Sequence, residues 1–239
     1  MPRDTLTREQ IVQAAVEVLD AEGVGGLNMR RLGGRLGSAA TAVYWHVKNK
    51  DELVVLAADH VWDEIALPDL DATGWREAAA GLARGAYAMI ERHYWLVPAM
   101  GTHLIYGPAK ARYDEHCLAV YEAAGFGGRE ADQASATVLM FVIGAAQGEA
   151  AQSAWRARLR RAGADEEQQL RDTLERVVEI AQGFPRLRAR ALSSASPASP
   201  ADLAAALPDA DSFEFGLRTV LDGLEARLAA RPAASRQEK

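Results

Sequence analysis

The chain has 239 residues, of which 49% are apolar and 25% charged, and its formal net charge is −6. This length allows one large domain, or one small and one medium domain, with a buried core. The acidic balance argues against a general polyanion-binding protein. No apolar run approaches the roughly 18–20 residues of a membrane span, the N-terminus lacks the apolar stretch of a signal peptide, and a single cysteine, Cys117, fits a reducing compartment. We therefore expect a cytoplasmic protein that does not contact a membrane.

The first predicted helix covers residues 7–22. Thr7 and Gln10 have the spacing of a capping box, in which each side chain accepts a hydrogen bond from the backbone of the other residue. Apolar residues then recur at helical spacing, which indicates one buried side; they are Ile11, Ala15, Val18 and Leu19. A cluster of three glycines at 23, 25 and 26 ends the helix.

The next segment predicts two short helices joined by a tight turn. Asn28 is a favourable N-cap for a helix over 28–36, and Gly37 opens a turn over 37–39. A second short helix then covers 40–46. Because helices this short are marginal in isolation, both must be stabilised by packing against their neighbours.

Longer helices are predicted for the rest of the chain. Asn49 caps a fourth helix, with Glu52 at its third position, which continues to about residue 66. No strand-like alternation follows, and the remaining helices are predicted over 74–92, 95–101, 107–124, 130–160, 166–183 and 213–230. Segment 193–211 is rich in Ser, Pro and Ala and is predicted to be a loop, and residues 231–239 a flexible tail.

Residues 28–50 differ in charge from the rest of the chain. They contain five Lys/Arg residues and no Asp or Glu. Two short helices with a glycine in the turn between them are typical of a helix-turn-helix, whose second helix enters the major groove of DNA. The arginines could instead be the solvated side of an amphipathic helix, and the aromatic residues could be core. That alternative does not explain why short helices, positive charge and an aromatic–His–Lys cluster occur together.

The residue types in this window suit a nucleic acid. Arg30 can fork onto a guanine edge or a phosphate. Tyr44 and Lys50 can donate to phosphate oxygens, as can the free backbone N–H groups at the start of the fourth helix. Trp45 and His46 offer an apolar contact and a hydrogen bond near the DNA backbone.

The stretch LTREQIVQAAVEVLDAEGVGGLNMRRLGGRLGSAATAVYWHVKNKDELV, roughly residues 6–55, resembles the DNA-binding domain of the tetracycline-repressor (TetR) family. The later segments GWREAAAGLARGAYAMIERHYWLVP and EAAGF are similar to the ligand-binding half of the same family. The resemblance implies an all-α homodimer that represses transcription until a ligand releases it. It implies a three-helix helix-turn-helix domain over 1–52 and a larger helical domain for ligand binding and dimerisation over 53–230.

The resemblance also implies which residues contact the DNA operator. Arg30 takes a position that reads a base or a phosphate, and the other expected contacts are Ala40, Thr41, Ala42, Tyr44, Trp45, His46, Lys48 and Lys50. Ala40 and Ala42 present only methyl groups, which can contact a thymine methyl but cannot form a bidentate hydrogen bond with a base. We therefore expect Arg30 and Thr41 to set the specificity.

Two tasks are predicted for the C-terminal part. The first is dimerisation, through helices 130–153 and 213–230, since helix-turn-helix proteins commonly bind two half-sites. The small side chains of 144–151 permit close approach of a second helix, although they could also form a contact within one chain.

The second task is to bind an apolar or aromatic effector between helices. The candidate ligand residues are Tyr87, Met89, Trp95, Met100, His103, Tyr106, Phe141, Gln147 and Trp155, any one of which could instead be ordinary core. In the tetracycline repressors a histidine after the sixth helix coordinates magnesium, but Ala99 takes that position here. His93, His103 and His116 lack the close spacing of zinc ligands. We therefore predict no metal and no cofactor.

The sequence leaves two other functions open. A constitutive DNA-binding regulator or an activator would have the same DNA-binding residues without the ligand response. An enzyme on a helical scaffold would need an activated nucleophile or paired carboxylates, and the chain shows no Gly-x-Ser-x-Gly motif, P-loop or metal-ligand motif. Cys117 is expected to be a buried small side chain.

Overall fold

The computed structural model describes residues 6–193 and 210–230, and these residues form helices and no strand. The predicted all-α fold is confirmed. Residues 28–50 and their neighbours form α1 (Arg8–Glu22), α2 (Met29–Arg35), α3 (Ala40–Tyr44) and α4 (Lys50–His60). The larger part comprises α5 (Trp75–Arg92), α6 (Leu96–Met100), α7 (Pro108–Ala123), α8 (Arg129–Ala162), α9 (Glu166–Gln182), α10 (Pro185–Ser193) and α11 (Ala210–Ala229). Two 3-10 turns, Val24–Gly26 and Val61–Glu64, follow α1 and α4.

The predicted helix starts in the N-terminal part are confirmed. Thr7 and Gln10 form the capping box of α1, in which each backbone N–H donates to the side chain of the other residue. The Asn28 carboxamide accepts from the backbone N–H groups of Arg30 and Arg31 and so caps α2. Asn49 caps α4 in the same way by accepting from Glu52 N–H at 2.7 Å.

Several predicted helix limits differ from those in the structure. α3 ends at Tyr44, so Trp45 and His46 lie in the turn after it. α4 ends at His60, and the chain continues as a 3-10 turn, a common way for the last turn of a helix to tighten. α8 continues unbroken to Ala162, because Ala, Leu and Arg at its end are good helix formers and Gly163 (φ +66°) supplies a left-handed C-cap.

One helix was missed. α10 follows α9 after a short break and begins with a proline, a residue favoured in the first helical turn. The predicted loop over 193–211 lies almost entirely outside the described residues, and so does the predicted tail over 231–239.

The core of the larger part lies between α5, α7, α8 and α11. α5 has small residues such as Ala79, Ala83 and Ala86 on its buried side, which let α8 approach closely. α11 covers α5 with a row of buried residues at helical spacing, Phe213, Leu217, Leu221 and Leu224. Ion pairs from Arg84 to Glu214 and from Arg76 to Asp222 and Glu225 hold α11 on α5 at the surface.

The expectation that no segment reaches the length and hydropathy of a membrane span needs a correction for α8. Within the described residues, α8 is the one helix that is long and apolar enough to cross a bilayer, with a mean hydropathy of 1.3 over an 18-residue window. Only 28% of that window is buried within one chain. Length and composition alone are weak evidence for a membrane span, because an apolar helix face that binds a protein partner has the same composition.

Candidate nucleic-acid interface and domain junction

The turn between α2 and α3 depends on two glycines. Gly37 has φ +63°, the left-handed region that side chains disfavour. Gly33 lies where the turn folds back on α2: a Cβ there would be 2.9 Å from Ser38 O and 3.0 Å from Ala40 N. The Ser38 N–H donates to Gly33 O at 2.8 Å. The close contact therefore fixes the angle at which α3 leaves α2.

One side of α3 is buried and the other is exposed. Val43 and the nearby Val47 are buried in the core with α1 and α4. Tyr44 is 49% exposed and Trp45 is 87% exposed, although both are large and apolar enough to be buried. Thr41 and Lys48 are exposed as well, and Ala40, Ala42, His46 and Lys50 are half-buried. The predicted DNA-contacting residues of this segment are thus exposed or half-buried, and their contacts with DNA stay a prediction.

The three arginines of α2 are not equivalent. Arg31 makes two hydrogen bonds to the Glu22 carboxylate, at 2.6 and 2.9 Å, and Glu22 raises the pKa of this guanidinium. Arg35 pairs with Glu17. Arg30 is exposed and has no carboxylate partner among the described residues. The alternative of a solvated charged face therefore fits Arg31 and Arg35, whereas Arg30 keeps its charge available for a ligand.

The start of α4 differs from the expectation of free backbone donors. The Glu52 N–H is already bonded to the Asn49 cap. The Glu52 carboxylate accepts from Lys48 N–H at 2.6 Å and pairs with Arg8 at 3.4 Å. One of the backbone N–H groups expected to bind phosphate is thus already bonded within the protein. The side chains of Lys48 and Lys50 remain as positive charges near the start of α4.

Three aromatic rings form a stack between α5, α8 and α11. The rings of Tyr87 and Phe213 are 4.0 Å apart between centroids, and those of Phe213 and Phe141 are 5.7 Å apart. The structure thus connects two of the predicted ligand residues through Phe213, which sequence reasoning missed. The apolar spacing along residues 213–224 indicates a packed helix face, whereas that helix is assigned from the sequence to dimerisation only.

Two carboxyl groups lie beside this stack and were also missed. Burial raises the pKa of Tyr87 to about 12, and Glu149 and Glu91 add to the shift. Burial, together with a hydrogen bond that protonated Glu91 donates to the Glu149 carboxylate, raises the pKa of Glu91 to about 7. The Glu91 carboxyl group therefore carries a proton over part of the neutral pH range.

The other predicted ligand residues do not gather at one site. Met89 and Trp95 are fully buried, and Met100, His103 and Trp155 are half-buried. Tyr106 and Gln147 are exposed. Trp95 and Trp155 line the same pocket, next to the DNA-binding helices. These residues stay predictions as ligand contacts.

A buried histidine connects the DNA-binding helices to the larger part. His93 follows α5, and its Nδ1 lies 2.7 Å from Asp20 of α1 while its Nε2 lies 3.0 Å from Glu64. Trp95 Nε1 donates to the same Asp20 at 2.7 Å. Burial alone would lower the pKa of His93, but the two carboxylates outweigh burial and raise it. Since both ring nitrogens face carboxylates, the imidazolium form satisfies this site best.

α4 is the second connection. Asp59 accepts hydrogen bonds from the backbone N–H groups of Lys110 at 2.9 Å and Ala109 at 3.3 Å, so it caps α7. Gly107 makes this possible, because a Cβ there would lie 2.5 Å from the Asp59 carboxyl group. At the other end of α4, Asp51 lies 3.5 Å from His103 Nε2. α4 is therefore in contact with the start of α7 and with the turn that follows α6.

Within the described part of the chain, no group of three or more His, Cys, Asp or Glu side chains is placed to hold a metal ion. His93, His103 and His116 are on different elements, and each of the first two faces a carboxylate. Cys117 is buried, as expected, and burial raises its pKa to about 11, which keeps it in the unreactive thiol form.

Comparison with known proteins agrees with this arrangement. The family model "Tetracyclin repressor-like, C-terminal domain" matches residues 67–228, and "Bacterial regulatory proteins, tetR family" matches residues 11–57. The chain belongs to the TetR family. It is thus a TetR-family transcriptional regulator, as the resemblance implied.

Two relatives are transcriptional regulators by name. The chain is 34% identical over 235 residues to the HTH-type transcriptional repressor DrrR1 of Streptomyces coeruleorubidus. The matched segment covers 98% of this chain and 83% of that protein. The chain is also 38% identical over 151 residues to an HTH-type transcriptional regulator of Saccharopolyspora erythraea, and this match spans 63% of each protein. Neither is named as an enzyme.

Two solved structures share the TetR fold and contain ligands. ActR of Streptomyces coelicolor in complex with actinorhodin is 25% identical, with a TM-score of 0.69, and the match covers 94% of this chain and 98% of that one. BioQ with its double-stranded DNA operator is 28% identical, with a TM-score of 0.51, over 66% of this chain and 97% of that one.

Proposed function

We propose that this TetR-family regulator is a homodimeric repressor that binds a palindromic operator and is released by an apolar or aromatic effector. The observation that carries the proposal is the exposed surface around α3. Tyr44 and Trp45 are held in solvent beside Lys48 while Val43 is buried behind them. Exposing two large aromatic rings costs burial free energy, so a ligand surface explains their position better than a folding role does.

On this surface the residues divide by chemistry. Arg30, without a carboxylate partner among the described residues, is assigned to a base edge or phosphate, and Thr41 to a base. Lys48, Lys50 and the hydroxyl of Tyr44 are assigned to phosphates. Trp45 and His46 contact the backbone, and the methyl groups of Ala40 and Ala42 face the groove. BioQ, which is 28% identical, has been solved with its operator, and this supports DNA as the ligand of the corresponding part of our chain.

The dimer interface is assigned to α8 and α11. These helices pack on each other and still leave Met140 65% exposed and Phe215 69% exposed. Gly144 and Gly148, one helical turn apart on α8, face open space, since a Cβ built on either meets no atom within 4 Å. A second copy can therefore approach α8 closely there, and the poorly buried apolar window of α8 acquires a partner.

The effector is assigned to the helices around the aromatic stack of Tyr87, Phe213 and Phe141. Stacked rings with nearby polar groups suit a flat apolar molecule. ActR, whose fold matches over 94% of this chain, has been solved with actinorhodin, and this supports a small-molecule effector for this chain.

We assign to α4 the coupling between effector binding and release of the operator. This helix packs on α1 of the DNA-binding part. It is joined to α7 through Asp59, and to the turn that follows α6 through the pair of Asp51 and His103. An effector that binds better when α6 or α7 is displaced therefore favours a displaced α4 and a changed spacing between the two copies of α3. The boundary that the sequence predicts between the two domains, at residue 52, lies inside α4. We therefore assign this helix to both domains.

The first experiment selects operators for the full chain from a random duplex library and measures affinity by fluorescence anisotropy at physiological salt. We expect a palindromic site with half-sites about one helical turn, 34–36 Å, apart. Absence of a site that binds better than competitor DNA would refute the proposal. Titrating aromatic compounds into the protein–operator complex then tests release; a compound that binds the protein but leaves operator affinity unchanged would point instead to a constitutive regulator.

A further inference from the structure

A pocket of about 440 Å³ lies where the DNA-binding helices meet the larger part. One wall is the end of α1 with the 3-10 turn Val24–Gly26, and the other comes from the start of α6 and the last turns of α8. Nothing in the proposed function uses this pocket, since the aromatic stack lies between α5, α8 and α11.

The floor of the pocket is apolar and partly aromatic. Trp95 lines the pocket as a fully buried side chain, and because its only donor, Nε1, is already bonded to Asp20, it adds apolar surface and no free donor. The half-buried Trp155 provides a second ring, and the small Ala151 and Ala154 leave space between them. Two indole rings with small neighbours suit a flat aromatic group.

One buried polar atom in the pocket has no partner. Tyr94 is 6% exposed, and its hydroxyl has no hydrogen-bond partner among the described residues. Buried polar groups are rarely left unsatisfied, because the lost hydrogen bond to water is not replaced. Burial raises the pKa of Tyr94, while Arg160 and Arg161 lower it in part. The hydroxyl therefore keeps its proton at neutral pH and can donate it to a ligand oxygen.

The rim of the pocket is positively charged. Arg158 and Arg161 line it, and neither has a carboxylate partner within the described ranges. Glu22 also lines the pocket, but its carboxylate is already paired with Arg31. Gly25 leaves room for Arg161, because a Cβ on Gly25 would lie 2.9 Å from Arg161 Nη1. Two guanidinium groups therefore remain available for an anion.

We infer that this junction pocket binds a small aromatic carboxylate. The ring lies between Trp95 and Trp155, and the carboxylate accepts hydrogen bonds from the Tyr94 hydroxyl and from Arg158 or Arg161. Charge-assisted pairs between guanidinium and carboxylate are among the stronger hydrogen bonds in proteins. Since the walls belong to α1, α6 and α8, a bound carboxylate joins the DNA-binding helices to the larger part. The inference goes beyond the proposed function and does not depend on it.

The test is isothermal titration calorimetry of the full chain, without DNA, using 1-naphthoate as the probe and the neutral 1-naphthalenemethanol for comparison. We expect 1-naphthoate to bind once per chain and at least about ten-fold more tightly than the alcohol, since only the anion pairs with the arginines. Tyr94→Phe and Arg161→Gln are each expected to weaken 1-naphthoate about five-fold. Arg156→Gln, on α8 but not lining the pocket, is the matched control and is expected to bind as the parent does.

Three outcomes would overturn the inference. They are no binding of 1-naphthoate at millimolar concentration, equal affinity for the acid and the alcohol, and unchanged affinity in the double variant Arg158→Gln/Arg161→Gln. If Phe141→Leu weakened the binding of 1-naphthoate and the arginine variants did not, the probe would bind at the aromatic stack. That result would also overturn the inference. Far-ultraviolet circular dichroism of each variant establishes that it is folded. Because no DNA is present, failure to find an operator leaves the result intact.

Discussion

Arg30, Arg31 and Arg35 are all exposed on α2, but only Arg30 lacks a carboxylate partner among the described residues. We predict that Arg30→Ala weakens operator binding by about 1–3 kcal/mol and relaxes specificity at one base pair. Lys50→Ala should weaken binding to all sequences alike and reduce the salt slope by about 0.9, the value for one phosphate that the protein no longer neutralises. Fluorescence anisotropy against single-base operator variants, at several salt concentrations, measures both effects.

The control is Arg171→Ala on α9, which removes the same charge from a helix outside the helix-turn-helix. It should change neither the affinity nor the salt slope. If Arg30→Ala and Lys50→Ala had the same sequence dependence, the division between base and phosphate contacts would be wrong.

His93 gives the protein a pH-dependent stability. Its folded pKa lies above its ordinary value because Asp20 and Glu64 outweigh the effect of burial. The stabilisation is therefore complete below about pH 6.5, the ordinary pKa of histidine, and is lost as the pH rises through the folded pKa. We predict that His93→Gln lowers the free energy of unfolding by about 3 kcal/mol at low pH, and by less as the pH rises.

Urea denaturation at a series of pH values measures this difference. His46→Gln is the matched control, because His46 is half-buried and is not in an ion pair among the described residues. A difference between His93→Gln and the parent that does not shrink with rising pH would show that the histidine is not held as an imidazolium.

Among the helices, the crossing of α2 and α3 depends on Gly33. A Cβ there meets the backbone of Ser38 and Ala40 at 2.9 and 3.0 Å, and backbone cannot rotate away as a side chain can. We predict that Gly33→Ala lowers the free energy of unfolding by about 1–3 kcal/mol and reduces operator affinity while the oligomeric state is unchanged. Thermal unfolding and anisotropy measure the two effects.

The neighbouring glycine is the matched control. A Cβ on Gly34 meets no atom within 4 Å, and Gly34 is exposed inside the helix. Gly34→Ala should therefore stabilise the protein by about 0.5–1 kcal/mol and leave operator binding unchanged. Equal effects at positions 33 and 34 would mean that close packing of the turn does not set the position of α3.

For the molecule as a whole, the outer face of α8 and α11 requires a partner. We predict that Met140→Glu weakens dimerisation about 100-fold or more, because the carboxylate of each copy would be buried in an apolar interface. Operator affinity should fall with it, since only the dimer places two copies of α3 on the two half-sites. Analytical ultracentrifugation and anisotropy measure the two effects.

Val177→Glu controls for adding a charge to an exposed apolar position. Val177 is 51% exposed on α9, which is not one of the two helices assigned to the interface. It should dimerise as the parent does. If the Met140→Glu variant remained dimeric, the assignment of α8 to the dimer interface would be wrong.

Local signals were sufficient for much of the fold. The caps at Thr7, Asn28 and Asn49 are short-range patterns, and the structure forms each of them. Helix ends were harder to predict, because α3 and α4 end in tightened turns that no single residue marks. α10 was missed because its sequence is polar and it follows directly on another helix.

Spacing and charge along the chain were enough to predict that the protein is helical, that its N-terminal helices form a helix-turn-helix, and that this segment is rich in Lys and Arg, since these are local properties. Which charges remain available depends on the packing of the helices. Glu17 and Glu22 on α1 neutralise Arg35 and Arg31 but not Arg30. The same packing brings Trp95 and Trp155, 60 positions apart, into one pocket with the unpartnered hydroxyl of Tyr94. Such contacts between distant segments arise only in the tertiary structure, because no local pattern encodes how the helices meet.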